Sequence, residues 1–198
     1  AYPLSADDEA KFKAEGRDAH WRFALTPGEI KWDDLARGET SFMAENLSDP
    51  VLIRGDGSYL YTLCSVLDDI DLGMTDIIRG EDHTSNTAAQ IQLFQALADQ
   101  NGLSDFQMPR FAHMPLVSGA DGAKLSKSNG ALSIRELREH GGLEPLTIVA
   151  FLSRLGTPDG PQPVSDITEL ASSFKIERFG RFGPRLDHEE LGPLERKN

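Results

Sequence analysis

"MTDIIRGEDHTSNTAAQIQLFQALADQ", residues 74–100, decides how the chain folds, because it passes from strand to helix with a charged corner between them. Residues 74–80 read as a compact strand. Residues 81–102 read as one long helix, with Thr84, Ser85, Asn86 and Thr87 as candidate caps. Just upstream, "YLYTLCSVLDDIDLG" (59–73) carries apolar residues at helical spacing, with Tyr59, Leu63, Val66 and Leu67 near one face and Gly73 as the stop. Downstream, "FAHMPLV" (111–117) reads as another strand. Helix, strand, helix, strand in this order predicts an α/β fold with a parallel sheet.

Moving outward, "VLIR" (51–54) is a short strand and "GDGS" (55–58) a turn. "HWRFALTPGEIKWD" (20–33) reads as a β-hairpin around Thr-Pro-Gly, followed by a strand at residues 40–43. Everything up to residue 49 is a small β-rich piece with a polar leader, too small to build a core alone. At the other end, "SIRELREHGG" (133–142), "EPLTIVAFLSRLG" (144–156) and "DITELASSF" (166–174) are short amphipathic helices, with "TPDGPQP" (157–163) as an exposed linker. The chain carries no repeat of 20 to 50 residues.

Composition narrows the function classes. The 198 residues are 39% hydrophobic, enough to bury roughly 70% of the unfolded surface. Thirty-two acidic residues against 20 Lys and Arg give a net charge of −12, which argues against a surface that wraps nucleic acid all round. A local basic face survives in "KIERFGRFGPR" (175–185). No apolar run is long enough to cross a bilayer and the start has no secretory pattern, so a cytoplasmic location and no membrane partner are expected. The single cysteine, Cys64, excludes a disulfide framework and is expected to be a small core residue. Five scattered histidines without paired ligand spacing predict no zinc and no other bound metal.

Ligands of α/β sheets bind beyond the carboxyl ends of the strands, so the residues after "TDII" and after "MPLV" are the candidates. The first strand delivers Arg79-Gly80-Glu81-Asp82-His83 onto a helix start; Arg79 there can hold a carboxylate with two parallel hydrogen bonds. Its bland alternative is a surface ion pair with Glu81 or Asp82. The second leads through "GADG" (119–122) into Lys124-Leu125-Ser126-Lys127-Ser128, two ammonium groups and two hydroxyls on a glycine-bearing loop. Such a loop suits a pyrophosphate leaving group; the alternative is a solvated turn. It lacks the G-x-x-x-x-G-K-[ST] spacing of a Walker loop. The aspartates of "VLDDIDLG" (66–73) read as a solvated helix end rather than a metal cluster.

In combination these segments resemble the class I aminoacyl-tRNA synthetases of the glutamyl type. Residues 49–97 resemble the family's Tyr-led helix, D-D pair, G-[IM]-T strand and R-G-E-D-H with N-T. Residues 111–128 resemble its last Rossmann strand and KMSKS-type loop, residues 132–156 its stem-contact helices, and residues 20–42 the end of its inserted acceptor-binding domain. The resemblance implies three parts: 1–49 the end of that insertion, 50–132 the second half of a Rossmann catalytic domain, and 133–198 a helical stem-contact region. It implies that Tyr61 and Arg79 contact glutamate, the arginine pairing with the side-chain carboxylate. Lys124, Ser126 and Lys127 would close over ATP, the two lysines being the catalytic ones; Leu116 and Val117 would offer backbone groups to adenine, and Asp82 and His83 would line the nucleotide side. ATP, as substrate and accompanied by Mg2+, glutamate and tRNA(Glu) are the implied partners.

The chain also departs from the family. It contains no P-S-P-T-G strand and no H-I-G-H-type motif, and it ends at "LERKN" without an anticodon-binding helical domain. Ser128 stands where members often have Arg, and "FGPRLD" (182–187) where they often have P-A-x-F-D. The expectation is the middle portion of a glutamate–tRNA ligase, inactive by itself. The other readings are a non-catalytic tRNA- or protein-binding module, a paralogue that glutamylates a modified tRNA base, and glutaminyl specificity.

Overall fold

A computed structural model describes residues 5–119, 122, 133–139, 143–160 and 162–186. The chain forms two compact units: the first runs to Phe111 apart from Leu35–Arg37, and the second takes those three residues and the chain from Ala112 onward.

In the first unit, helix α1 (Ala6–Ala14) buries no residue and starts at Ser5, whose hydroxyl accepts the Asp8 N–H at 3.1 Å. It is the polar leader. Strands β1 (Trp21–Arg22) and β4 (Val51–Ile53) pair antiparallel. Strands β2 (Glu29–Asp34), β3 (Gly38–Met43), β5 (Asp76–Gly80) and β6 (Arg110–Met114) make a four-stranded sheet in the order β3-β2-β6-β5. Helices α2 (Tyr61–Asp71) and α3 (Thr84–Gln100) flank β5 in the chain, the strand–helix alternation read from the sequence.

The α/β class stands, but the sheet is mixed rather than wholly parallel: β2 pairs parallel with β6 through Asp34 and Phe111, and antiparallel with β3. The hairpin also lies elsewhere than expected. Residues 20–33 do not fold on Thr-Pro-Gly; the tight connection is Leu35–Arg37, closed by Gly38 at φ 72°, the three-residue loop that needs a left-handed residue at its end. Thr26 is held otherwise: its N–H donates to Gln92 Oε1 at 2.8 Å and its carbonyl accepts from Gln92 Nε2 at 2.9 Å. A primary amide that satisfies both backbone groups ties this stretch to α3, so no strand pairing is needed there. Along β2 the side chains alternate, with Ile30 and Asp34 buried, and Trp32 stacks on Phe42 of β3 at 5.9 Å between centroids.

The core of the unit lies between the helices and the sheet. Val66 of α2, Leu93 and Phe94 of α3 and Phe111 of β6 are buried together, with Leu63 and Ile70 of α2 against them. The α2 stripe is therefore Leu63, Val66 and Ile70, not the expected set: Tyr59 precedes the helix and bridges to Ile53, and Leu67 is exposed. Cys64 is exposed as well, which corrects its reading as a core residue; one position past Leu63, it lies on the opposite side of the buried stripe. Gly73, at φ 62°, ends α2 with its N–H on the Ile70 carbonyl at 3.1 Å.

In the second unit, strand β7 (Ser118–Gly119) pairs parallel with β8 (Arg185–Leu186), and helices α4 (Ile134–Glu139), α5 (Pro145–Arg154) and α6 (Ile167–Ser173) fall on the three expected segments. Leu143, Ile148, Phe151 and Leu186 form one cluster, with Val117 against it; Ala150, Val164 and Leu170 form another. Asp166 caps α6 through hydrogen bonds to Thr168 N and Glu169 N at 2.8 and 2.9 Å. Pro115 shortens the expected strand, since a proline cannot donate to a ladder: β6 stops at Met114 and pairing resumes at Ser118. Among the described residues no helix is long and apolar enough to cross a membrane.

Candidate functional site

Strand β5 ends at Arg79 and Gly80, and one 3-10 turn, Glu81–His83, leads into α3. The cap of α3 is His83, with no side-chain capping bond, so none of the four expected residues serves as the cap. Their side chains go elsewhere: the Thr84 hydroxyl bonds back to the Glu81 carbonyl at 2.5 Å, and Asn86 Nδ2 meets His83 Nδ1 at 3.2 Å.

Arg79 is the hub of this corner. Its Nη1 donates to the Tyr61 hydroxyl at 3.1 Å, and its Nη2 donates to both Thr87 Oγ1 and Gln90 Oε1, the latter at 2.5 Å. Gln90 in turn donates through Nε2 to Ser65 Oγ at 2.7 Å. Three elements thus converge on one guanidinium: β5 carries it, α2 supplies Tyr61 and Ser65, and α3 supplies Thr87 and Gln90. Thr87 and Gln90 are almost wholly buried, whereas Tyr61 is 52% exposed. The guanidinium therefore runs from a dry back wall to a wet front. Tyr61 also packs against His83, ring centroids 5.5 Å apart and tilted by 59°.

These side chains give the corner its chemistry. Tyr61, Thr87 and Gln90 present neutral oxygen acceptors to Arg79, and together they fix the plane of its guanidinium. Asp69, on α2, lies within its field: burial pushes the Asp69 carboxyl above the usual value, against the opposing pull of Arg79. Asp82 is exposed and His83 half-buried at the front of the corner. Among the described residues no group of three or more His, Cys, Asp or Glu could hold a metal ion.

Of the other expected site residues, Leu116 and Val117 belong to the second unit. Leu116 is exposed, and Val117 packs on the Leu186 cluster. The backbone at Gly183 approaches them so closely that a Cβ there would stand 2.2 Å from the Leu116 carbonyl oxygen. Lys124, Ser126 and Lys127 lie outside the described residues. The structure brings together Tyr61 and Arg79, both singled out from the sequence, with Gln90 and Ser65, which were not, and with Thr87, taken only for a cap. The available signal was a pair of polar residues, Thr87 and Gln90, at i and i+3 on the face of α3 that continues into Leu93 and Phe94.

An arginine fixed where a strand gives way to a helix marks the ligand end of an α/β catalytic domain. The chain belongs to the family of class I tRNA synthetases (E and Q), catalytic domain, which it matches over residues 3–192. It is 47% identical over 191 residues to glutamate–tRNA ligase 1 of Maricaulis maris, covering 96% of this chain and 41% of that protein. It is 50% identical over 188 residues to glutamate–tRNA ligase 1 of Rhodospirillum rubrum, covering 95% and 40%. The chain thus spans about two fifths of the length of these relatives. A crystal structure of glutamate-tRNA synthetase from Elizabethkingia anophelis shares the fold, with a TM-score of 0.77 at 23% identity, over 98% of this chain and 42% of that one. So does a glutamate tRNA ligase from Elizabethkingia meningosepticum solved in complex with its amino acid, at the same TM-score.

Proposed function

We propose that the chain supplies part of a cytoplasmic glutamate–tRNA ligase, the part that grips the side chain of glutamate and closes over ATP. The observation that carries this reading is the guanidinium of Arg79, oriented by Tyr61, Thr87 and Gln90 at the end of β5. A γ-carboxylate placed on that group gains charge-assisted hydrogen bonds, and the exposed Tyr61 hydroxyl sits beside it as a second polar contact.

In the reaction so assigned, the α-carboxylate of glutamate attacks the α-phosphorus of ATP, pyrophosphate leaves, and the glutamyl adenylate passes its acyl group to the terminal ribose of tRNA(Glu). No enzyme nucleophile is needed. Lys124, Ser126 and Lys127 would bind the phosphates and stabilise the charge that builds as pyrophosphate departs, and Mg2+ would accompany the nucleotide. Leu116 and Val117 would face adenine, with Asp82 and His83 on the nucleotide side. Residues 1–49 would close the acceptor-binding insertion, 50–132 carry the catalytic half-site and 133–198 contact the tRNA stem. The basic segment of that last part is already partly committed: Arg178 pairs with Asp159 at 2.8 Å, and Arg181 donates to the Arg37 carbonyl at 2.8 Å. Lys175 and Arg185 are its other two cations.

Titration of the chain with glutamate and with ATP tests the reading. Arg79→Ala is expected to weaken glutamate binding by roughly 10- to 100-fold, the worth of a lost charged hydrogen-bond pair, and to leave ATP binding unchanged. Lys127→Ala is expected to do the reverse. A chain that responds to RNA alone would be a tRNA-binding module and not a ligase half-site.

A further inference from the structure

We infer that a crevice at the ends of α5 and α6, in the second unit, is a seat for one phosphate group of an RNA backbone, gripped by Arg154. The inference deepens the reading of residues 133–198 as the part that contacts RNA, and rests on it. Arg154 is the last residue of α5. Its Nε is buried with no hydrogen-bond partner, and it alone among the buried side-chain nitrogens and oxygens of the described residues is so left. Its Nη2 makes a long contact, 3.4 Å, to Ser173 Oγ, whose own proton goes to the Leu170 carbonyl at 3.0 Å. Nε and Nη2 share one edge of the guanidinium, the edge with which arginine holds two oxygens of one anion. A buried charged donor without an acceptor is costly, so an oxygen supplied there removes a cost already present in the fold.

The rest of the crevice fits an anion. Lys175 and Arg178 line it with Arg154, and so does Asp159, which stays paired with Arg178 at 2.8 Å. Three cations against one carboxylate leave it net positive, in a chain whose formal charge is −12. The charge of Arg154 also reaches Glu169, but that carboxyl is lowered first by its hydrogen bonds from Ser165 and least by Arg154, and it does not line the crevice. The hydroxyls of Ser153, Thr157 and Ser173 donate to the carbonyls of Ala150, Arg154 and Leu170. The donors left for a ligand are therefore the cations, which select an anion over a sugar or an amide.

Shape and spacing select the class of anion. The crevice has room for about 20 Å³, one ligand oxygen's worth. A phosphodiester can place one non-bridging oxygen inside and keep the other at the mouth, where Lys175 is exposed and Arg178 is 44% exposed. Lys175, Arg178, Arg181 and Arg185 follow one another at intervals of three or four in a single segment. That series suits a polymer with a charge on every unit better than one small anion.

Two measurements on the full 198-residue chain test this. In the first, NMR follows the arginine Nε–H signals while sodium phosphate is added at constant ionic strength. The Arg154 signal, assigned by its loss in Arg154→Met, is expected to shift and saturate, whereas sodium chloride leaves it in place. In the second, fluorescence anisotropy follows binding of a short RNA duplex between about 50 and about 200 mM salt. Arg154→Met keeps the aliphatic length; it is expected to weaken RNA about tenfold and to reduce the slope of log affinity against log salt by about 0.9, one phosphate's worth. Arg110→Met, which breaks the ion pair with Asp76 in the first unit, is expected to change neither. Thermal unfolding separates loss of fold from loss of grip, and Lys175→Met, on the exposed rim, decides the matter if Arg154→Met does not fold. A phosphate-indifferent Arg154 signal, or RNA affinity within about twofold of normal in both variants, overturns the inference. A lower melting temperature with an unchanged salt slope marks a merely structural arginine and also overturns it. A signal that moves with phosphate while the salt slope stays the same makes the crevice a seat for a free anion, which overturns the RNA assignment. An unaltered chain that ignores the duplex overturns the RNA-contact reading and this inference with it.

Discussion

Gly183 offers the sharpest test of how the second unit holds the segment that leads toward the lysine loop. A methyl group at this position would lie 2.2 Å from the Leu116 carbonyl oxygen and 3.4 Å from its carbon, and both are backbone atoms that cannot turn aside. Ordinary carbon–oxygen contact needs about 1 Å more, so Gly183→Ala must push the two segments apart by that amount. One residue on, the Pro184 carbonyl accepts the Ser118 N–H at 3.0 Å, and a 1 Å displacement breaks that bond, at about 1 kcal/mol. Leu186, 9% exposed in the cluster with Ile148 and Phe151, is lifted on the same strand, which adds about 1 to 2 kcal/mol of lost burial. The expected loss is about 2 to 3 kcal/mol. Gly180→Ala is the control, because a Cβ there meets the Gly156 carbonyl at 3.4 Å, an ordinary contact, and should cost less than about 0.5 kcal/mol. Trp21 and Trp32, the only two tryptophans, both lie in the first unit, so their fluorescence would not follow this change. Urea unfolding followed by far-UV circular dichroism, with amide exchange at Ser118, reads it directly. A Gly183→Ala protein as stable as Gly180→Ala would refute the close approach.

Two further outcomes concern the first unit. Asp69 has its folded-state pKa raised by burial, so the folded protein holds this proton more tightly than the unfolded chain does. The charged carboxylate then costs stability above the folded pKa, the cost shrinks as pH falls toward the unfolded value, and it is absent below it. Asp69→Asn should therefore stabilise the unit near neutral pH, helped by removal of a negative charge from the last turn of α2, and should do nothing in acid; melting temperatures at several pH values check this. Gln92→Ala removes both hydrogen bonds that hold Thr26 and should cost about 1 to 2 kcal/mol in chemical unfolding, whereas a hairpin at Thr-Pro-Gly would make the substitution neutral.

What the sequence disclosed follows from how local each signal is. The strand–corner–helix order around Arg79 depends on periodicity and chain order, and it was legible. The hairpin was not, because Thr-Pro-Gly is a strong turn signal by itself and only the long-range bond from Gln92 shows that the stretch is spent otherwise. Gly38, the residue that makes the real connection, is one of 18 glycines, and nothing local separates it from the rest. The exposure of Cys64 was missed for a related reason: an apolar stretch was read as uniformly inward, although a helix turns by 100° per residue and Leu63 and Val66 already define the inward side.

The same contrast explains which part of the site could be read. Arg79 and Tyr61 could be singled out because a strand-end position, for the arginine, and a resemblance in chain order, for both, pointed to them. Gln90 and Ser65 face each other across two helices, 25 positions apart in the chain, and their identity follows only from what Arg79 demands of its surroundings. A donor-only group held in a dry wall needs acceptors at set angles, and those acceptors must in turn be aligned by something behind them. The strand-end arginine is thus readable from sequence, while the residues that aim it are not. Gln90→Met should therefore loosen the junction of α2 and α3 and lower the melting temperature, whereas Tyr61→Phe, which removes one contact from the solvent side of the guanidinium, should leave it nearly unchanged.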